Sequence, residues 1–218
     1  MTASPRSLSP RRIAILGGGR IGSAFAFHLA RNGGHEVTLI ARPGSARLAQ
    51  LQRAGGVVTT AGEQASAIVC DRLDESVAYD LALVTVKDYQ VRALLPALSR
   101  CAAEKIQFMF MTFDPQHLQQ AVTPQRAALG MPFLQSDLDA KGKIKISVGK
   151  RETLTDDPET AQLLSTAGLP ARHEPRMALW LRCHVPLGIA FESVAVAAEQ
   201  RGNSASWRRA RTLGPVST

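Results

Sequence analysis

The chain has little cysteine, no acidic residue near either end and no internal repeat, and each shortage narrows its function. Its three cysteines, Cys70, Cys101 and Cys183, show no CxxC and no paired spacing. That argues against a disulfide framework and a zinc site, and it fits a reducing cytoplasm. Residues 1–12 lack the apolar stretch of a secretory signal. No run approaches the roughly 20 apolar residues of a bilayer span, because Glu192 interrupts the most apolar late segment, 185–198. Neither a membrane partner nor a metal is expected.

The formal net charge is +8, and most of it sits at the ends. Residues 1–12 carry Arg6, Arg11 and Arg12, and residues 201–218 carry Arg201, Arg208, Arg209 and Arg211, without an acid in either stretch. The body between them is therefore close to neutral. A nucleic-acid-binding domain would show a basic face on its folded body, so no specific nucleic acid is expected. Both ends read as disordered, solvated tails.

The most informative segment is Ile13-Ala14-Ile15-Leu16-Gly17-Gly18-Gly19-Arg20-Ile21-Gly22. An apolar strand runs straight into G-x-G-x-x-G, formed by Gly17, Gly19 and Gly22. A helical pattern follows, with Ala24, Phe25, Leu29 and Ala30 on one face, ended by Asn32-Gly33-Gly34. A second strand, His35-Glu36-Val37-Thr38-Leu39-Ile40, comes next. This is the opening βαβ unit of a dinucleotide-binding fold. The helix N-terminus offers unpaired N–H groups to a pyrophosphate, so Gly17, Gly19, Arg20, Ile21 and Gly22 are candidate cofactor residues. The tip of the second strand carries no acid for a ribose 2′-OH. It carries Arg42, with Arg47 five residues on. A guanidinium matches a phosphate bidentately and stays charged, which favours NADP, with Arg42 on the 2′-phosphate helped by Arg47.

The α/β alternation continues. Residues 48–54 read as a helix, and 57–60 with 67–70 as paired strands around Ala61-Gly62-Glu63. Residues 79–87 read as a strand buried on both faces, with Asp88 capping the next helix and Pro96 kinking it. Residues 106–111 form the next parallel strand. Ligands lie at the carboxyl ends of such strands, which places Lys87 and the 112–117 loop near the cofactor. Residues 126–130 and 143–149 read as strands joined by a turn at Lys141-Gly142. Helices are expected from Asp157 to near Gly168 and from about 176 to 200. The fold class is α/β, a Rossmann-type doubly wound sheet with a shortened helical C-terminal region. The expected divisions are 1–12 (tail), 13–174 (NADP-binding domain), 175–200 (helical remnant) and 201–218 (tail).

In this order the sequence resembles ketopantoate reductase (2-dehydropantoate 2-reductase) from Arg12 to about Gln200. The resemblance rests on the glycine motif, His35-Glu36-Val37 leading to Arg42, Leu83-Val84-Thr85-Val86-Lys87 with Gln90-Val91, Ala128-Leu129-Gly130, Ser147-Val148-Gly149, and Ala178-Leu179-Trp180. It implies NADPH reduction of a 2-oxo acid, 2-dehydropantoate to pantoate on the path to pantothenate, with Lys87 on the cofactor side of the cleft. The family's proton donor is a lysine two residues after the tryptophan, where this chain has Arg182. Arginine can stabilise an oxyanion but is a poor proton donor, its pKa exceeding about 12. The family asparagine four residues later is replaced by Pro186, and its Asn-Gly element by Thr112-Phe113-Asp114-Pro115. His184, one turn from Trp180, is the nearest titratable substitute, and His117 with Asp114 is a weaker one. The helical second domain of the family is reduced to one helix. After Gly202 the Arg- and Ser-rich sequence reads as foreign to the fold. An unpartnered apolar helix favours homodimerisation through 185–200. The alternative to a reductase is a non-catalytic NADP-binding protein or reductase remnant.

Overall fold

Strand β1 (Arg12–Leu16) is the centre of the molecule because its side chains alternate between two apolar layers. Ile13 and Ile15 face one layer, and Ala14 and Leu16 the other, all of them buried. In this computed structural model, which describes residues 9–201, β1 pairs in parallel with β2 (Glu36–Ile40) and with β6 (Leu81–Val84). The remaining strands are β3 (Gly56–Val58), β4 (Gln64–Ser66), β5 (Ile68–Cys70), β7 (Lys105–Met109), β8 (Ala127–Met131), β9 (Leu134–Leu138), β10 (Ile144–Val148), β11 (Thr153–Thr155) and β12 (Ala171–His173). The main sheet has eight strands in the order β12-β11-β8-β7-β6-β1-β2-β5. Its run from β5 to β8 is the doubly wound dinucleotide-fold order 3-2-1-4-5-6. The helices are α1 (Arg20–Phe27, continued by a π-helical turn over His28–Asn32), α2 (Ala46–Ala54), α3 (Asp88–Val91), α4 (Leu95–Arg100), α5 (Pro115–Ala121), α6 (Pro158–Thr166) and α7 (Met177–Gln200). The mostly parallel α/β architecture is the one the alternation of elements predicts.

Helix α1 is buried at every position from Gly22 to Phe27, which a surface helix would not be. Its inner side lies on the main sheet. Its outer side is covered by two small hairpins, β3–β4 and β9–β10, joined where the Thr60 N–H donates to Ile144 O (2.9 Å). Leu134 and Ile144 from the second hairpin enter the same apolar layer as Phe25 and Leu29.

Three expectations about connectivity are corrected. Residues 67–70 do not pair with 57–60: β4 does, while β5 extends the main sheet in parallel with β2. The turn at Lys141-Gly142 joins β9 to β10, and β8 belongs to the main sheet. Pro96 does not kink a helix but starts α4 at its first turn, where its missing N–H costs nothing.

The far edge of the sheet depends on a buried glutamine. The Thr155 hydroxyl donates to Gln107 Oε1 (2.6 Å) from two strands away, and both residues are fully buried. Gly130 on the intervening strand makes room, since a Cβ there would lie 2.9 Å from Gln107 Nε2. This bond ties the antiparallel β11 to the parallel sheet.

Helix α7 buries Met177, Leu181 and Val185 against the sheet. Beyond Gly188 it leaves the body, and Ile189, Phe191, Val194 and Val196 are exposed. Its 24 residues reach a mean hydropathy of 1.3 in their most apolar window, long and apolar enough by composition to cross a bilayer. The expectation that no segment comes close is thus corrected. The expected tails fall largely on residues 1–8 and 202–218, outside the described residues. Arg11 and Arg12 belong to the fold. The Arg11 guanidinium meets Glu159 (3.3 Å), and the Arg12 N–H donates to Asp80 (2.7 Å).

His35 gives the fold a pH dependence. Its Nδ1 accepts the Arg11 N–H (3.2 Å), and its buried Nε2 has no partner among the described residues. Burial first, and then the Arg11 charge, lower its pKa. The unfolded chain therefore takes up this proton more readily, so stability present above about pH 6.5 is lost as pH falls below it. Denaturant midpoints should drop between pH 7.5 and pH 5, and His35→Gln should flatten that slope. An unchanged slope in the variant removes His35 from the account.

Candidate functional site

The glycine loop is shaped by one close approach. Gly17 has φ +119°, and its N–H donates to Ile40 O (2.9 Å). A Cβ on Gly17 would lie 2.8 Å from Thr85 Oγ1, and a Cβ on Gly22 would run into the Gly17 carbonyl oxygen. The Thr85 hydroxyl reaches Leu16 O (3.1 Å) and Gly17 O (3.2 Å), which locks β1 to β6 at the turn. Gly19 differs, because a Cβ there meets nothing within 4 Å. It is the exposed N-cap of α1, with no side chain capping the helix and no acid in its first turn. The backbone N–H groups of the first turn are therefore open to an anion. Ile21 is half-buried against the core, so only its backbone is available. The Arg20 guanidinium stands 3.7 Å from Asp137 on β9, both well exposed.

The two arginines after β2 have different fates. Arg42 is exposed at the strand's carboxyl end, and its side chain makes no hydrogen bond or ion pair among the described residues. Arg47, expected to help it, points elsewhere. Its Nε donates to Gly18 O (2.8 Å), Nη1 to Gly142 O (2.6 Å) and Nη2 to Ser23 Oγ (2.8 Å). Three fixed acceptors hold it against the loop. Lys87 is exposed at the end of β6, with its ammonium 5.9 Å from the Tyr89 ring. Lys87 rather than Asp88 is the N-cap residue of α3, and the Gln90 side chain accepts its N–H (3.1 Å). Sequence reasoning missed Thr85 as the lock. Its polar side chain in an otherwise apolar strand was the available signal.

The residues expected to carry the chemistry lie on α7 and after β7. His184 stacks on Trp180 (centroids 4.3 Å apart, planes at 19°), and Phe133 sits edge-on to both rings. Burial, then the nearby Arg151 charge, lower the His184 pKa. Arg182 is exposed. Two residues from both Trp180 and His184, it points about 200° around the helix from them. The structure thus does not bring Arg182 and His184 together. A Cβ on Gly188 would lie 3.6 Å from Met111 Sδ, so α7 passes close to the end of β7. There Asp114 caps α5 by accepting the His117 N–H (3.1 Å). That backbone contact accounts for the Asp114–His117 pairing without involving the imidazole. Among the described residues no three His, Cys, Asp or Glu side chains cluster to hold a metal.

Fold and loop together define a doubly wound Rossmann-type domain with an open glycine turn at the carboxyl edge of its sheet. The sequence model of the ketopantoate reductase PanE/ApbA family matches residues 13–157, and the chain belongs to that family. Solved structures share the fold. The 2-dehydropantoate 2-reductase of Porphyromonas gingivalis W83 is 23% identical with a TM-score of 0.65, over 79% of this chain and 67% of that one. D-mandelate dehydrogenase in complex with NADH is 20% identical with a TM-score of 0.59, over 76% of this chain and 55% of that one. A dimeric ketopantoate reductase from Staphylococcus aureus is 18% identical with a TM-score of 0.59, over 86% and 63%. The chain spans between about half and two thirds of these proteins' lengths. No curated protein matches it.

The glycines make a paired prediction. Gly22→Ala forces a methyl group into backbone and should destabilise the domain by about 1–3 kcal/mol. Gly19→Ala has open space and should stay within about 0.5 kcal/mol of the parent, while hindering any ligand at the loop. Equal thermal shifts for the two variants would contradict the close-approach argument.

Proposed function

We propose that the chain binds NADP(H) and reduces a 2-oxo acid, in the manner of 2-dehydropantoate to pantoate. The observation that carries this reading is the unengaged Arg42 guanidinium at the strand tip beside an open, uncapped glycine turn. The residues fit the cofactor: the Gly19 and Arg20 backbone would hold the pyrophosphate, Arg42 would take the 2′-phosphate, and Lys87 would stand on the cofactor side of the cleft. When bound, the cofactor supplies the hydride to the carbonyl carbon. The chain must then provide a proton at the carbonyl oxygen and a cation to steady the developing charge. His184 is the proton donor in this reading, with Arg182 as the family-position cation. Three free cysteines accord with a cytoplasmic setting.

A second reading, cofactor binding without turnover, is favoured by the placement of Arg182. It stands at the family lysine's position yet projects away from His184.

One assay separates them. NADPH fluorescence and its oxidation with 2-dehydropantoate are followed in the same sample. Turnover lost in His184→Ala with binding retained supports the reductase, and its rate should fall as pH rises, because the lowered pKa leaves the imidazole neutral early. Arg42→Ala should weaken NADPH by about 1.5–3 kcal/mol more than NADH. Equal loss for both nucleotides removes Arg42 from the 2′-phosphate, and binding without turnover on any 2-oxo acid selects the second reading.

We also infer that a second copy covers α7. Six large apolar side chains on this helix, Leu179, Leu187, Ile189, Phe191, Val194 and Val196, are 38–56% exposed. Leu187, Phe191 and Val194 follow the i, i+4, i+7 spacing of a helix–helix seam. Between Arg182 and Glu199 the sequence has one charged residue, Glu192, so two copies can pack without burying like charges in bulk. Light scattering should give a dimer, and Leu187→Glu with Val194→Glu should give a monomer; a monomeric parent overturns the inference.

A further inference from the structure

Arg47 is the most fully engaged cation at the site, and two of its three contacts converge on one peptide group. Its Nε donates to the Gly18 carbonyl at 2.8 Å, and the Ser23 hydroxyl reaches the same oxygen at 3.1 Å. Ser23 is fully buried in α1 and in turn accepts from Arg47 Nη2. The third leg runs to Gly142 O, in the turn between β9 and β10. Gly142 has φ +78°, and a Cβ there would press on Gln50 and lie 2.9 Å from Arg47 Nη1. The guanidinium is half-buried, and that burial lowers its pKa, yet arginine stays cationic at any relevant pH. A planar fork with fixed donors suits three acceptors that do not move.

In a trans peptide the carbonyl and the following N–H point in opposite directions. Pinning Gly18 O toward Arg47 therefore turns the Gly19 N–H the other way, out of the loop. The Gly19 N–H makes no hydrogen bond among the described residues, and a Cβ on Gly19 would meet nothing within 4 Å.

We propose that Arg47 is a positioning residue: it sets the Gly18–Gly19 peptide so that the Gly19 N–H faces the cofactor pyrophosphate, and it makes the β9–β10 hairpin part of the cofactor site. The proposal rests on the dinucleotide reading above. It assigns Arg47 to the pyrophosphate through backbone, not to the 2′-phosphate by direct contact. Its loss should therefore weaken both nucleotides alike.

The test uses the full chain with Arg47→Met, which removes fork and charge, and Arg47→Lys, which keeps charge and loses the fork. NADPH and NADH affinities are measured by fluorescence, and hydrogen exchange of the Gly17 and Ser23 amides, bonded to Ile40 O and Gly19 O (both 2.9 Å), is followed without nucleotide. The expected result is a roughly tenfold loss for both nucleotides in Arg47→Met, a smaller equal loss in Arg47→Lys, and faster exchange of the Gly17 and Ser23 amides in both. If Arg47→Met does not fold, Arg47→Lys decides. Parental affinity with parental exchange overturns the proposal, as does a loss confined to NADPH, which would put Arg47 on the 2′-phosphate. A purely structural role predicts a lower melting temperature with unchanged affinity, and that result also overturns it. If the parent binds neither nucleotide the dinucleotide reading fails, and the exchange rates still decide whether Arg47 holds the loop.

Discussion

The rest of the structure depends on how closely α1 approaches the end of β1. Gly22 on the helix meets the Gly17 carbonyl with no room for a side chain between them. That contact brings the helix N-terminus over the sheet's carboxyl edge and aims its free N–H groups outward. It also sinks the helix so deep that both its sides need cover. The two small hairpins supply the outer cover, and Arg47 ties the second of them back to the loop. Thr85 closes the same corner from β6. A single steric requirement thus explains three features that would otherwise look unrelated: an all-round buried helix, two accessory hairpins and a half-buried arginine.

Much of this was legible in the sequence because it is written in spacing. The strand-glycine-helix-strand order from Ile13 to Ile40, and the continuous apolar run ending at Val84, each allow one structural reading. What was missed is non-local. Strands β9, β11 and β12 have no period of their own. β11 is three residues long and owes its place to Thr155 reaching Gln107 across Gly130. Residues 67–70 read as a hairpin partner because the nearest β-rich segment was 57–60, yet the closer Gln64–Ser66 takes that role. The exposed arginine and the half-buried one, Arg42 and Arg47, look alike in sequence. Only the presence of three acceptors around Arg47 separates them.

The chemistry side of the site was less legible for a different reason. Family resemblance placed Arg182 and His184 by position relative to Trp180, and both lie on α7 as expected. Helical geometry then separates them, since residues two apart cannot share a face. His184 is turned toward Phe133 and Trp180, in a half-buried aromatic setting that disfavours its charged form. Arg182 is turned to solvent. A pair acting on one carbonyl would need a third element to bring substrate to both.

The contrast between the two halves has a physical origin. Binding a pyrophosphate at a helix start needs backbone N–H groups and the absence of side chains, so it survives any sequence change that keeps three glycines and the apolar layers. The fold itself recurs in solved structures no more than 23% identical, over three quarters or more of this chain. Proton delivery to a carbonyl needs one titratable atom within hydrogen-bond reach of one oxygen, held by packing on several sides. Here the packing around the helix that carries those atoms ends near Gly188, while the helix runs on to Gln200. In the proposed reading the cofactor half rests on backbone that the fold itself fixes, whereas the catalytic half rests on two side chains, Arg182 and His184, that α7 turns to different sides.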